Sequence, residues 1–172
     1  MHWQFLFHLV ELLTCSICND IPGFDLYPHY NSKNYPAAII DLTKVIEVDK
    51  KGDVVPALYI RAQCKNKLED YRGALIDYNT VLLISAENKS EKLAVVYLDR
   101  GRVNTILGNY NDAEQDFTEA IELKKSYAEA FINRGIIRIN FLEQKEKGCL
   151  DFSRAGELGI TKAYELIKEQ CH

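Results

Sequence analysis

From residue 35 onward the apolar positions recur at the three-and-four spacing of an amphipathic helix. Ala38, Ile39, Leu42, Val45 and Ile46 set the pattern. Pro36 suits the first helical turn, where its missing N–H is not needed. The polar stretch 49–53, with Gly52, ends this segment. A helix over 56–67 is predicted next, with Leu58, Ala62 and Leu68 inward. Another follows over 71–84, with Ala74, Leu75, Tyr78, Val81 and Leu82 inward. The polar link 85–92 precedes two further pairs, over 93–107 and 110–123, then 126–142 and 146–158. Gly108-Asn109 forms a tight turn because glycine tolerates positive φ. Gly159 closes the helix before it. Thr161 is placed to cap a last helix over 162–170, with Ala163, Leu166 and Ile167 inward and Lys162, Glu165, Lys168 and Glu169 outward. Residues 19–33 read as a loop, since Pro22-Gly23, Pro28 and Asn31-Ser32 break any period.

One phrase is written three times within this pattern. It runs Arg61-Ala62, then Asp70-Tyr71, Ala74 and Asp77-Tyr78. It returns as Arg100-Gly101, then Asn109-Tyr110, Ala113 and Asp116-Phe117. The third copy is frayed: Arg134-Gly135, then Gly148, Asp151-Phe152 and Ala155. From the Arg of each copy to Asp77, Asp116 and Asp151 respectively, the spacing is 16, 16 and 17 residues. A half copy lies upstream at Asn34-Tyr35, Ala38 and Asp41-Leu42. Such a period predicts stacked helical hairpins, which cannot bury their apolar faces singly and draw their core from neighbouring copies. The Arg/Asp pairs invite a catalytic reading, but active sites are rarely built in triplicate. Ion pairs holding helices together are expected instead.

Composition narrows the function classes. The 172 residues carry a formal net charge of −4, with 47% hydrophobic and 27% charged residues. That balance gives a core and solubility but no basic face, which argues against nucleic acid. No phosphate loop, dinucleotide fingerprint or nucleophile elbow is present. His2, His8, His29 and His172 match no ligand pattern, and Cys15-x-x-Cys18 is a lone pair where zinc needs four ligands. No catalytic residue, metal or cofactor is therefore assigned, and an enzyme is not expected. Residues 3–18 form an apolar run too short to span a bilayer and lacking a basic start. Three readings stay open: a signal or anchor, a helix packed on the array, and an atypical start ahead of a truncated first repeat. The expected compartment is the cytoplasm, with export as the alternative if residues 1–18 act as a signal. Cys149 and Cys171 fall at the same end of the predicted last hairpin, so a disulfide and two free thiols are both admissible.

These residues resemble the tetratricopeptide repeat family, whose 34-residue unit orders bulky, small, aromatic and alanine positions. Leu58, Ala62, Tyr71, Ala74 and Tyr78 match it, as do Tyr97, Gly101, Tyr110, Ala113, Phe117 and Ala120, and then Phe131, Gly135, Gly148, Phe152 and Ala155. The resemblance implies an all-α, right-handed superhelical solenoid of antiparallel helix pairs. Its expected parts are an apolar N-terminal segment with linker (1–33), a partial repeat (34–50), repeats at 55–88 and 94–127, a divergent repeat (128–158) and a capping helix (161–172). Ala62, Tyr71, Ala74, Gly101, Tyr110, Ala113, Gly135 and Phe152 are its expected structural positions. Where the half copy lacks a first helix, segment 3–18 is expected to cover the open face.

By the same resemblance, the first helix of each unit lines a concave groove. The groove would present Tyr59, Gln63 and Asn66, then Leu98, Arg102 and Thr105, then Ile132, Ile136 and Ile139. Such a mixed surface suits an extended peptide or an amphipathic helix. Tyr59, Gln63, Leu98, Arg102, Ile132 and Ile136 are the candidate contacts with an unidentified protein or peptide. Family members that grip acidic chaperone tails use Lys, Asn and Arg at five positions. The matching positions here hold Tyr59, Gln63, Asp99, Glu129 and Asn133, and two acids argue against such a clamp. The expected function is thus a non-enzymatic interaction module. The alternative is an assembly subunit that oligomerises through its apolar N-terminal segment.

Overall fold

A computed structural model of the chain describes residues 28–48, 54–87 and 90–171. The apolar run 3–18, its role as a cover and any oligomerisation through it lie outside the described residues. Within them the protein is all-α, with nine helices packed in adjacent pairs. The chain divides into two units, 1–85 and 86–172.

The first unit contains α1 (Pro28–Asn31), α2 (Tyr35–Val48), α3 (Val55–Lys67) and α4 (Tyr71–Ile84). α2 packs on α3, and α3 on α4. Ala38, Leu42, Ala57 and Cys64 form a buried cluster, flanked by Tyr30, Tyr35, Ile39, Ile46 and Ile60. The sequence predicts a loop at 19–33, yet Pro28–Asn31 closes one helical turn, with the Ser32 N–H bonded to the Pro28 carbonyl. Tyr30 of that turn meets Tyr35 edge-on, 6.3 Å between centroids. An aromatic anchor thus holds a short turn that has no periodic signal. Leu68 was expected inward but is 45% exposed. It lies one residue past α3, in the turn, where the helical face no longer applies. Asp70 then caps α4 by accepting the Gly73 N–H at 2.9 Å.

The second unit contains α5 (Leu93–Ile106), α6 (Tyr110–Leu123), α7 (Ala128–Asn140), α8 (Lys145–Glu157) and α9 (Lys162–Gln170). Each helix packs on the next. Leu98, Phe117, Phe131, Ile137, Ala155 and Ala163 belong to one buried cluster. The small residues of the repeat are set by close approach. A Cβ on Gly101 would come within 2.6 Å of Phe117, and one on Gly135 within 2.6 Å of Phe152. Gly108 has φ +79° and Gly159 φ +95°, as their turns require. Thr161 does not cap α9, for its side chain makes no capping hydrogen bond. α7 is shorter than the predicted 126–142, because Tyr127 is held in a turn by the Lys124 carbonyl and Phe141 leaves the helix at φ −130°.

Candidate functional site

The three Arg/Asp pairs are formed, each within one hairpin. Arg61 donates through Nε and Nη2 to the two carboxylate oxygens of Asp77, at 2.9 and 2.8 Å. Arg134 grips Asp151 in the same way, at 3.0 and 2.7 Å. Arg100 meets Asp116 through Nε at 3.0 and 3.2 Å, and the Asn104 amide adds a bond of 2.9 Å. The three carboxylates are buried. Burial pushes the Asp116 carboxyl up from its ordinary value, against the opposing pull of Arg100 and Asn104. A buried carboxylate whose oxygens are engaged by its own chain has little left to offer a substrate. The pairs are staples.

Two threonines complete these staples and were not singled out from the sequence. The free arm of Arg61 donates to Thr43 Oγ1 of α2 at 3.0 Å, and that of Arg134 donates to Thr118 Oγ1 of α6 at 3.0 Å. Each hydroxyl donates in turn to a carbonyl four residues back, Ile39 at 2.7 Å and Glu114 at 2.8 Å. One guanidinium thus ties three successive helices. The recoverable signal is a threonine 16 to 18 residues before the arginine. Arg138 reinforces the Arg134–Asp151 staple, reaching Asp151 at 2.8 Å and Glu114 at 2.7 Å.

The candidate contacts separate into three situations. In the first unit, Gln63 Nε2 donates to the Tyr59 hydroxyl at 3.0 Å, and the Tyr30 hydroxyl donates to Gln63 Oε1 at 3.1 Å. Gln63 is therefore engaged by the protein's own α1. The ring of Tyr59 lies 6.1 Å from that of Tyr78. Leu98 is a correction. It is 1% exposed and belongs to the core with Phe117 and Phe131, so it has no surface to give a partner. α5 packs against both α6 and α7, and that double packing covers Leu98.

Arg102, Ile132 and Ile136 keep partial exposure in the second unit. Ile132 and Ile136 share one face of α7 at four-residue spacing. Arg102 of α5 reaches across to Glu129, one turn before Ile132, and also lies 3.6 Å from Asp99. The α5 and α7 faces therefore adjoin and carry one guanidinium, two carboxylates and two isoleucine side chains. Among the described residues no group of three His, Cys, Asp or Glu side chains could hold a metal. No helix of the described residues is long and apolar enough to cross a membrane.

Comparison with known proteins agrees with the helical-repeat fold. Residues 94–127 match the family model described as tetratricopeptide repeat. A curated relative, "Protein SGT1 homolog" of Oryza sativa subsp. japonica, is 33% identical over 89 residues, 51% of this chain. The match spans only 24% of that relative's length. The crystal structure of MamA superposes with a TM-score of 0.74 at 17% identity, covering 84% of this chain and 81% of that one. The first tetratricopeptide domain of Spaghetti (RPAP3), solved bound to the HSP90 peptide SRMEEVD, gives a TM-score of 0.59 at 24% identity, covering 68% and 90%. The second such domain, bound to the same peptide, gives 0.54 at 27% identity, covering 60% and 91%.

Proposed function

This chain is a tetratricopeptide-repeat protein, and from that premise we propose that it is a non-enzymatic module that captures a peptide or helical segment of another protein. The observation that carries the reading is the joined α5/α7 face. Arg102, paired with Asp99 and Glu129, reaches the start of the α7 face that carries the partly exposed Ile132 and Ile136. An arginine next to an apolar strip is the composition of a binding hot spot, which anchors a ligand by burial and orients it by charge. Taken by itself, the first unit offers Tyr59 as an aromatic candidate contact, whereas its Gln63 is engaged by Tyr30. This reading takes 34–50 as a partial repeat, 55–88, 94–127 and 128–158 as repeats, and 161–172 as a cap.

The first ligand class to test is an acidic C-terminal tail. Two solved relatives were captured with the peptide SRMEEVD. Counted singly, Asp99 and Glu129 should repel such a tail. Both, however, are paired with Arg102, so the local charge is closer to one net negative than to two. Competition for the guanidinium replaces plain repulsion.

The test is fluorescence anisotropy of the full chain with two labelled probes, SRMEEVD and an uncharged amphipathic helical peptide. The expected result is saturable binding of one probe, weakened at least tenfold by R102A/I136A with helicity unchanged by circular dichroism. Binding unaffected by R102A/I136A, or no binding of either probe, overturns the assignment of this face.

A further inference from the structure

The last helix is held in an unusual way. α9 has nine residues, short of what a helix needs to persist alone in water. Its start has no side-chain cap, and only Ala163 and Leu166 are buried along it. Tyr164 rests against Gly156, where a Cβ would meet its ring at 2.9 Å, yet it is 58% exposed. Among the described residues no side-chain hydrogen bond or ion pair ties α9 to the rest of the chain. The Gln170 side-chain oxygen is buried without a partner. At its far end, however, Cys171 is disulfide-bonded to Cys149 in the first turns of α8, with 5.8 Å between Cα atoms. Apolar contact at the start and a covalent bond at the end hold this helix.

Both sulfur-bearing residues are half-buried, so a small reductant can approach them. The described free cysteine, Cys64, is fully buried in the other unit and does not compete. We propose that Cys149–Cys171 is a redox-controlled latch on α9. Closed, it keeps Ala163 in the core with Ala155. Opened, it lets α9 detach and uncovers the α8 face at Ala155 and Gly156, while α5 to α7 stay folded. The opening step needs a dithiol reductant. One thiolate of that dithiol attacks a cysteine sulfur, the S–S bond breaks, and a mixed disulfide forms. The second thiol of the reductant displaces the remaining sulfur. Two electrons pass to the cysteines, which leave as thiolates and take protons from water, and the reductant departs as its own disulfide. Local opening of a weakly held terminal helix is the least demanding sub-global motion available to such a fold.

The test uses the full chain, purified without reductant. Peptide mapping under non-reducing conditions should find the fragment holding Cys149 linked to that holding Cys171. Hydrogen exchange should then be compared with and without dithiothreitol. The expected result is at least tenfold faster exchange of the α9 amides after reduction, with α5 to α7 changed less than twofold. C149S/C171S should show the fast α9 exchange in both conditions; should it fail to fold, the native chain with and without dithiothreitol decides. Absence of the linked fragment overturns the proposal. So does unchanged α9 protection on reduction, or loss of protection throughout α5 to α8, which would mark a global staple instead of a latch.

Discussion

Phe141 lies nearly parallel to Tyr110, with ring centroids 4.0 Å apart and planes 14° from each other. The stack follows from one extra residue. The α3–α4 and α5–α6 turns have three residues each, 68–70 and 107–109, whereas the α7–α8 turn has four, 141–144. All three turns put their second-last residue at positive φ, at Glu69, Gly108 and Glu143. The additional residue, Phe141, is turned out of its own hairpin onto the aromatic that starts α6. F141A should therefore lower the stability of the second unit by about 1 kcal/mol, and a double-mutant cycle with Y110A should show coupling of about that size. Urea titrations supply the cycle; strictly additive effects would deny the stack any energetic role.

Arg100 and Asp116 form one of the three staples, joined by the Asn104 amide. R100M leaves a buried carboxylate with its main counter-charge removed and should destabilise by about 3 kcal/mol. R100M/D116L removes the stranded charge as well and should recover part of that loss. Chemical denaturation of the two variants decides, and equal losses would mean that the charge is not the cause.

Gly135 and Gly108 are glycines for different reasons. At Gly135 an added Cβ would stand 2.6 Å from Phe152 and 3.0 Å from the Gly148 carbonyl oxygen. G135A should cost about 2 kcal/mol, and F152L in the same chain should relieve part of it. At Gly108 nothing stands within 4 Å, so G108A meets only the strain of φ +79°, about 1 kcal/mol. Melting temperatures should fall in that order.

Cys64 is fully buried, and burial pushes its thiol from 9.0 up to about 11. Below pH 9 folded and unfolded chains both hold the proton, and the group contributes in full. Between pH 9 and 11 the unfolded chain ionises while the folded one does not, so stability falls as pH rises. The stability difference between the native chain and C64A should shrink across that window and stay flat below it. At pH 8, alkylation of Cys64 should proceed only as fast as the first unit opens.

Much of this was legible along the chain. The helices at 71–84, 110–123 and 162–170 begin and end as their apolar period predicts, because that period reports local backbone geometry. The repeated Arg and Asp were legible as partners from their constant spacing. Thr43 and Thr118 were not, since a threonine in a helix carries no mark of the arginine a neighbouring helix will aim at it. Leu98 misled for a related reason. Its position matches the family's exposed face, but whether that face is covered depends on how closely α7 approaches α5.

The sequence by itself determined the repeat, the helix pairs, the glycines at close approach and the glycine turns at Gly108 and Gly159. Each of these is written in residues a few positions apart, or in the recurrence of one phrase. Tertiary structure alone decided that Tyr30 occupies Gln63, that Arg102 is shared by Asp99 and Glu129, and that Cys149 is bonded to Cys171. Most of these contacts join side chains 22 to 33 residues apart. Such partners meet only once whole helices have packed, and helical periodicity specifies a face without naming what will lie against it.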